Sequence, residues 1–387
     1  MNAIVLNTNF EAIGIIDTYT SFIWTDRFCQ YGDFEIEIPI GSNIPDFIQK
    51  DYYICLPKSD RCMIIETIAI DVDIENGSRL LVSGKSLESI LSRRLVYTQS
   101  SGKIQEKIFS RDKNTGVKPN LQNGIKNLLE ENIIDPEISA RRIPNFIFES
   151  STNPSITELT FEARYLGDDL YSIITKLCEE NEIGFKITLN ESDQFVFKLV
   201  AGDDRSYAQE NNPYVIFSKK YNNIFNTQYL DSNANLKNVT LIAGEGELNQ
   251  DTDENEYHMY WLYNNDLNFP NNTVGISRRE VYTDATSVSY DDGEGDKFSE
   301  EVYQAHLRQK GIDTLIENAV VNITDGEIDP TNNYVFNKDY FLGDIVQIED
   351  EYGNEGVARV TEMIFSHDTS GETIYPTFTT IQKGVYE

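Results

Sequence analysis

Alternation of apolar and polar residues with a period of two is the feature that most constrains this fold. Residues 34–38 alternate apolar with charged side chains, and residues 68–74 repeat the pattern. A period of two places the apolar side chains on one face of a strand. Asn76-Gly77 follows, a dipeptide typical of two-residue hairpin turns. Several short strands with turns between them predict an antiparallel meander that forms a small β-barrel.

The periodicity changes to that of helices between residues 103 and 183. Two stripes of apolar residues have helical spacing there: Leu121, Ile125, Leu128 and Leu129, then Leu170, Ile173, Ile174 and Leu177. Asp168 and Asp169 precede the second stripe and Gly184 follows it, which suits the two ends of a helix. Residues 185–189 and 195–199 alternate again. The segment therefore predicts an α/β insert in which a helix packs on a hairpin.

The region from 201 to 300 is rich in Asn, Asp, Gly and Tyr, and it contains acidic runs at 245–247, 251–256 and 291–296. A strand is predicted at 239–243, and a helix from about Ser299 toward Leu315 and Ile316. Residues 339–380 return to a β pattern. Their order of strands and turns is similar to that of residues 51–82. Two interpretations stay open: a genuine repeat of one barrel, or two unrelated meanders that look alike.

The predicted fold class is α+β, mainly β, with two related small β-barrel domains and inserted α/β domains. The first barrel is predicted at 1–98 and the α/β insert with helix and hairpin at 99–200. The second barrel is discontinuous, at 201–245 and 319–387. An acidic insert that ends in a helix occupies 246–318.

Charge excludes several classes of function. The chain has 387 residues, with 64 acidic and 32 basic side chains, for a formal net charge of −32. This balance argues against a nucleic-acid-binding surface and against docking on anionic membranes. Hydrophobic residues make up 40% of the chain, which excludes wholesale disorder. The sequence has neither an apolar run of about 18 residues nor a basic leader. We expect a soluble protein that folds in a cytoplasm.

Candidate sites for chemistry are few. Residues 251–256 begin like a calcium loop, but Glu256 stands where the sharp turn needs glycine, and residues 291–296 fit no better. The histidines His258, His306 and His367 are far apart in sequence and form no HExxH pattern. A nucleophile elbow and a phosphate-binding loop are also missing from the sequence. We therefore predict no catalytic residue, no cofactor-binding residue and no metal site.

Cysteine and arginine positions allow two interpretations each. Cys55 and Cys62 flank a short turn, where they could face each other across a hairpin; reduced buried thiols are favoured over a disulfide. Three arginine pairs stand at 93–94, 141–142 and 278–279. Guanidinium groups suit carboxylate partners across interfaces. The favoured interpretation is that these arginines balance local acid within the fold.

Four motifs occur in order along essentially the whole chain: Trp24-Thr25-Asp26-Arg27 with Gly32-Asp33-Phe34-Glu35-Ile36; Gly84-Lys85-Ser86-Leu87 with Ile90-Leu91 and Arg93-Arg94-Leu95; Gly202-Asp203-Asp204-Arg205-Ser206 with Val215-Ile216-Phe217-Ser218; and Tyr340-Phe341-Leu342-Gly343-Asp344-Ile345-Val346. Together they resemble the tail-tip or baseplate hub proteins of long-tailed phages of Gram-positive hosts. The resemblance is to the N-terminal hub portion of the tail-associated lysin type.

The resemblance implies a homotrimeric ring in which two barrels per subunit give a pseudo-sixfold collar. Such a collar would close the distal end of the tail tube, meet the distal tail protein ring, and contact the tape measure and receptor-binding proteins. DNA would pass through an acidic lumen without specific binding. Longer members of that family carry a C-terminal peptidase or binding extension, so the resemblance carries over no catalytic residue. The expected location is the virion tail tip, after assembly in the host cytoplasm.

Two other functions remain as alternatives. A receptor- or glycan-binding tail protein would use exposed aromatic rings, and Trp261 within residues 257–263 is the best candidate platform. A wall hydrolase would need a carboxylate pair, and 64 acidic residues supply too many candidates to single one out.

Overall fold

Two compact units make up the chain. The computed structural model describes residues 1–39, 45–73, 77–100, 102–112, 115–249, 251, 254–263, 273–288, 290, 297–318, 321–328, 334–369 and 371–380. Unit 1 comprises the described residues of Met1–Thr227, Gly326–Glu351 and Ala358–Thr379. Unit 2 comprises those of Gln228–Asp325, Tyr352–Val357 and Thr380–Glu387.

Strands dominate both ends of the chain. The N-terminal strands are β1 (Ala3–Leu6), β2 (Ala12–Ile16), β3 (Ser21–Arg27), β4 (Asp33–Pro39), β5 (Tyr53–Cys55), β6 (Cys62–Asp73) and β7 (Gly77–Ser86). A 3₁₀ helix, Leu87–Arg93, follows. The helical spacing of Leu87, Ile90 and Leu91 after Ser86 predicts a short helix at this position. The next strands are β8 (Thr98–Ser100), β9 (Lys103–Gln105), β10 (Lys107–Phe109), β11 (Phe146–Glu149), β12 (Ala163–Tyr165), β13 (Gly184–Leu189) and β14 (Phe195–Val200).

The described part of the C-terminal half contains the remaining strands and a long helix. The strands are β15 (Ile216–Ser218), β16 (Ile224–Ser232), β17 (Val239–Asn249), β18 (Glu254–Tyr263), β19 (Glu280–Asp284), β20 (Val321–Ile328), β21 (Ile345–Glu349), β22 (Glu355–Asp368) and β23 (Gly371–Thr380). The α-helices of the chain are α1 (Leu121–Leu129), α2 (Pro154–Thr157), α3 (Leu170–Glu180) and α4 (Glu300–Glu317).

An eleven-stranded sheet organises unit 1. Its order is β15-β21-β22-β3-β4-β7-β6-β5-β1-β2, and β23 pairs with β22 off this path. The N-terminal and C-terminal segments meet where β3 pairs antiparallel with β22, from Arg27 opposite Glu362 to Phe22 opposite His367. The mainly β fold is thus confirmed. Two closed barrels are not seen among the described residues, because both predicted barrel segments contribute strands to one sheet that does not close.

The large sheet buries the apolar face that its alternating sequence predicts. Phe34 and Ile36 are at most 2% exposed, and Trp24 is fully buried beside them. The β3–β4 register places Trp24 opposite Phe34, so their rings stack at a centroid distance of 6.0 Å. One contiguous core forms from these strands and from β21 and β22.

A second core in unit 1 contains the two helices and the hairpin that the sequence predicts. Helix α1 begins after Asn120, whose side chain accepts a hydrogen bond from the Asn123 amide. Helix α3 begins after Asp169, whose side chain caps Ser172. Side-chain acceptors at these positions satisfy amides that the first helical turn leaves unpaired. The apolar stripes of α1 and α3 pack with the β13–β14 hairpin, as predicted, and β11 adds to that hairpin in parallel.

One end strand of the large sheet is capped by a side chain. Strand β15 pairs on one side with β21. On its other side the Ser218 amide donates to Asn223 Oδ1 at 2.8 Å, and Asn223 Nδ2 donates to the Ile216 carbonyl at 2.9 Å. Asn223 is fully buried. Its amide imitates a neighbouring strand and blocks an edge that would otherwise invite pairing with another chain.

Unit 2 has its own small core. Strands β18, β17 and β19 form a three-stranded sheet in that order, and α4 packs on one face. Ile242 and Leu262 are fully buried there against Tyr303 and Leu307 of the helix. The predicted strand at 239–243 and the predicted helix from Ser299 are both confirmed. Among the helices in the described part of the chain, none is long and apolar enough to cross a membrane.

Candidate functional site

Two of the sequence motifs meet at Asp344, which is 2% exposed. Its Oδ1 accepts a hydrogen bond from the Asp203 amide at 2.8 Å, and its Oδ2 accepts from Arg205 Nε at 2.6 Å and the Phe341 amide at 2.9 Å. The Arg205 amide donates to the Ile345 carbonyl at 2.8 Å. We call these five residues the Asp344 cluster. Charge-assisted bonds of this kind are roughly twice as strong as neutral ones, so the cluster fixes two segments that are distant in sequence.

Close backbone approach explains the glycines in those two motifs. A Cβ at Gly202 would lie 1.9 Å from the Gly343 carbonyl oxygen. Gly343 has φ +93°, and a Cβ there would lie 2.2 Å from the Phe28 ring. Gly184 approaches the same edge of that ring, because a Cβ there would lie 2.4 Å from Phe28 Cδ2. Only glycine fits these positions, because any side chain would collide with backbone or with the buried ring.

A buried ion pair joins the 3₁₀ helix to the turn between β5 and β6, and a hydrogen bond to the same carboxylate joins it to β13. Glu88 is fully buried, and its Oε1 accepts from Arg61 Nη1 at 2.5 Å and from the Ile187 amide at 2.8 Å. Arg61 Nη2 donates to the Arg27 carbonyl at 2.5 Å. Glu88 Oε2 is buried without a hydrogen-bond partner among the described residues. Removing one partner from such a pair leaves an uncompensated buried charge, which is strongly destabilising.

Asp26 is the second buried carboxylate beside Arg61. Its Oδ1 accepts from Trp24 Nε1 at 2.8 Å, and its Oδ2 accepts from the Ser59 hydroxyl at 2.6 Å. Burial raises the pKa of Asp26 to about 6, even though the Arg61 guanidinium and these hydrogen bonds act in the opposite direction. One guanidinium cannot fully compensate two buried carboxylates, and Glu88 holds the direct ion pair.

These groups surround a cavity of about 210 Å³ in unit 1. Its walls combine four aspartates, two cations, an amide and apolar side chains: Asp26, Asp60, Asp203, Asp344, Arg61, Lys186, Asn337, Phe28, Phe185, Phe336, Phe341, Leu342, Val200 and Ala201. Asp60 pairs with Lys186, and Asp203 pairs with Arg205 at 3.1 Å. The charged side chains Asp60, Lys186, Asp203, Asp344 and Arg61 of this cavity are therefore all in ion pairs within unit 1. The arrangement fastens chain segments together rather than positioning a nucleophile beside a base.

Sequence reasoning missed Arg61 and Glu88. Glu88 lies between Leu87 and Ile90, which are both buried. A charged residue inside a short apolar helix is a signal for a buried partner, but the partner's position cannot be read from the sequence. The roles of Asp203, Arg205 and Asp344 were equally hidden, although their motifs were recognised.

The arginine pairs have partners within the fold. Arg94 Nε donates to the Arg141 carbonyl at 2.9 Å, and Arg141 Nη2 donates to Asn132 Oδ1 at 2.8 Å. Arg278 pairs with Glu280, and Arg279 donates to the Asn233 carbonyl. Arg278 balances local acid, as the favoured interpretation has it, whereas Arg94, Arg141 and Arg279 donate to carbonyl or amide oxygens of the fold.

Metal-ligating residues form no cluster in the described ranges: no group of three or more His, Cys, Asp or Glu side chains could hold an ion. Residues 252–253 and 291–296, from the two acidic runs, lie outside those ranges. His258 lies 3.5 Å from Glu300, and His367 Nδ1 lies 2.7 Å from the Tyr19 hydroxyl. Cys55 and Cys62 face each other across the β5–β6 hairpin, and neither forms a disulfide.

The ring of Trp261, the candidate for stacking on a sugar, is covered by Arg278. The Arg278 guanidinium carbon lies 5.1 Å from the Trp261 ring centroid and 5.4 Å from that of Tyr263. Cation–π contacts of this length hold the guanidinium against the ring face. That ring face is therefore occupied by protein.

Solved structures of tail proteins share this fold. The 43 kDa tail protein of prophage MuSo2 from Shewanella oneidensis is 10% identical with a TM-score of 0.57, and the match covers 98% of both chains. Prophage tail protein gp18 from Listeria monocytogenes EGD-e is 12% identical with a TM-score of 0.54, covering 99% of this chain and 95% of that one. A tail protein from Neisseria meningitidis MC58 is 12% identical with a TM-score of 0.55, and the match covers 99% of this chain and 97% of that one.

Sequence comparison gives the family. No curated protein matches the sequence. The family model of the Siphovirus ReqiPepy6 Gp37-like proteins matches residues 2–378, which is nearly the whole chain. The chain therefore belongs to the Siphovirus ReqiPepy6 Gp37-like family and is a phage tail protein of the siphovirus type.

Proposed function

We propose that this tail protein is the hub of the tail tip. Three copies form a ring that closes the distal end of the tail tube and opens for DNA on infection. The ring meets the distal tail protein ring, and it also contacts the tape measure protein and the receptor-binding proteins. It assembles in the host cytoplasm and stays at the distal end of the virion tail.

The observation that carries this proposal is the pairing of β3 with β22. This pairing places the N-terminal and C-terminal β segments side by side in one sheet. Such an arrangement suits a subunit that is built from two similar halves. Three such subunits would present six similar halves. A hub must also carry mechanical load during infection, and a continuous sheet braced by the Asp344 cluster suits that task.

Charge supports passage of DNA. With a net charge of −32, the chain carries an excess of the same sign of charge as a phosphate backbone. Because like charges repel, a lumen lined by such a protein would let DNA move without sticking. In our proposal the β segments at 1–98 and at 201–245 with 319–387 form the collar, and the segments at 99–200 and 246–318 are inserts within the chain.

We also propose that the protein has no enzymatic activity of its own. The buried carboxylates of unit 1 form ion pairs and hydrogen bonds within the protein, as Glu88 and Asp344 illustrate. Purified protein should leave the turbidity of cell-wall suspensions unchanged. A steady fall in turbidity that persists after repurification would overturn this part of the proposal.

Electron microscopy of the purified full chain tests the hub. We expect class averages of threefold rings with a central hole, alone or after addition of the distal tail protein. Monomers in both samples would refute the ring.

A further inference from the structure

The sheet of unit 2 has apolar side chains on both faces. On β18, Tyr257, Met259, Trp261 and Tyr263 alternate with the residues that face α4, so all four lie on the opposite side. Leu241 of β17 and Tyr282 of β19 lie in register with Trp261 and join the same face. We call these six residues the outer face.

Exposure distinguishes the outer face from the helix-covered one. Ile242 and Leu262 beneath α4 are fully buried, whereas Tyr257, Met259 and Tyr282 are 53%, 61% and 58% exposed. An antiparallel sheet with one solvated face normally carries polar residues there. Contiguous apolar residues on an exposed face mark an interaction site.

Protein groups already cover parts of the outer face. The Tyr257 ring lies over Gly246, where a Cβ would come within 2.7 Å of it, and Met259 stands opposite Ala243. Arg278 covers the Trp261 ring, on which a sugar would stack. The geometry therefore favours a protein surface over a sugar.

Composition points the same way. Interface centres are enriched in tyrosine, tryptophan, methionine and arginine, and tyrosine, tryptophan and arginine dominate the residues whose truncation costs most binding energy. The outer face has three tyrosines, a tryptophan and a methionine, with Arg278 stacked on it. Arg278 is held by Glu280, so its position is set before any partner arrives.

Acidic side chains border this surface along β19. Glu280 is in register with Val239 and Asp284 with Ala243, which puts both carboxylates on the outer side, and both are exposed. A second copy of this chain would bring the same acidic border, so self-association through this face is opposed. We infer that the outer face docks another protein component of the tail, one that presents an apolar centre bordered by lysine or arginine.

Oxidative footprinting tests this inference on the protein as it exists. Hydroxyl radicals would be applied to the isolated full chain and to intact tails, and oxidation of Met259, Tyr257 and Tyr282 measured by mass spectrometry. We expect at least about tenfold slower oxidation in tails, because residues at the centre of an interface are shielded from solvent. Equal rates in the two samples would overturn the inference. The inference requires only a tail protein, so it stands or falls separately from the trimeric ring.

A matched pair of variants tests the chemistry of the partner. Met259→Lys puts a cation at the centre of the face, and we expect its incorporation into tails to fall by about tenfold or more. Ile276→Lys is the control, because Ile276 is fully exposed in the same unit and lies outside the outer face. Circular dichroism would confirm that both variants fold.

Three results would contradict the inference. Normal incorporation of folded Met259→Lys would show that the face is not used. Concentration-dependent oligomers of the isolated chain that Met259→Lys abolishes would assign the face to a second copy. Protection of the three side chains by purified wall polysaccharide alone would assign it to a glycan.

Discussion

Replacing Asp26 with asparagine should stabilise unit 1 at neutral pH. Asp26 is 3% exposed, and burial raises its pKa to about 6 from an ordinary 3.8. Asparagine has the same size and keeps an oxygen for the Trp24 indole, and it can donate to the Ser59 hydroxyl. The substitution therefore removes a buried charge while retaining most of its hydrogen bonds.

The magnitude follows from the pKa difference. A folded-state pKa above the unfolded one means that the folded protein binds the proton more tightly. The contribution of Asp26 to stability is therefore highest below pH 3.8 and falls as the pH rises from about 4 to about 6. At 1.36 kcal/mol per pKa unit, the total loss is about 3 kcal/mol. Allowing about 1 kcal/mol for imperfect hydrogen bonds of asparagine, Asp26→Asn should gain about 2 kcal/mol at pH 7.5.

Tryptophan fluorescence offers a direct assay. The chain has two tryptophans, so a Trp261→Phe background leaves Trp24 to report on unit 1 alone. Urea unfolding of this background, with and without Asp26→Asn, would be measured at pH 4.5 and pH 7.5. The difference between the two proteins isolates the titration of Asp26, because all other groups cancel.

The result that would refute this reasoning is a stability difference that does not change with pH. If Asp26→Asn destabilises equally at both pH values, Asp26 acts through its hydrogen bonds and its charge is not costly. Asp46→Asn, at an exposed position, is the control and should leave stability within about 0.5 kcal/mol at both pH values.

Three further predictions concern backbone fit, the sheet edge and the Asp344 cluster. Gly343→Ala should destabilise unit 1 by about 2–4 kcal/mol, because φ at this position is +93° and the added Cβ would lie 2.2 Å from Phe28 Cε2. Gly167→Ala, at φ +81° with open space, should cost only about 1 kcal/mol, so equal shifts in urea midpoint would contradict the steric argument. Asn223→Ala should cost about 2 kcal/mol and increase self-association in light scattering, since it uncovers the edge of β15; an unchanged sample would show that the edge needs no cap. Asp344→Asn should cost about 2–3 kcal/mol in urea unfolding because it removes the charge that faces the guanidinium, and a midpoint equal to that of the parent would refute the importance of the cluster.

Local elements of the fold could be predicted because their signals are local. The stripe from Leu170 to Leu177 and its cap at Asp169 lie within one segment, and α3 begins and ends where these residues require. The same holds for the β13–β14 hairpin. The 3₁₀ helix after Ser86 was also located.

The long-range joins could not be predicted. Pairing of β3 with β22 depends on strands separated by more than 300 residues, and either strand alone would fit many neighbours. The same limit applies to the Asp344 cluster. A carboxylate that pairs with Arg205 across 139 positions is one among 64 acidic residues, and nothing in the sequence marks it.

The pairing of β3 with β22 also means that β3 cannot complete its part of the sheet until the ribosome has made β22. Arg27 and Glu362, which form an ion pair within these strands, are 335 positions apart. At about 5–20 residues per second, a ribosome needs roughly 20 to 70 s to cover that distance. During this interval β3 has β4 on one side and an open edge on the other. Only a chain translated through β22 can pair the backbone groups on that edge of β3. Prematurely terminated chains would keep an unpaired edge strand, and they would be degraded or aggregate before they could join a tail.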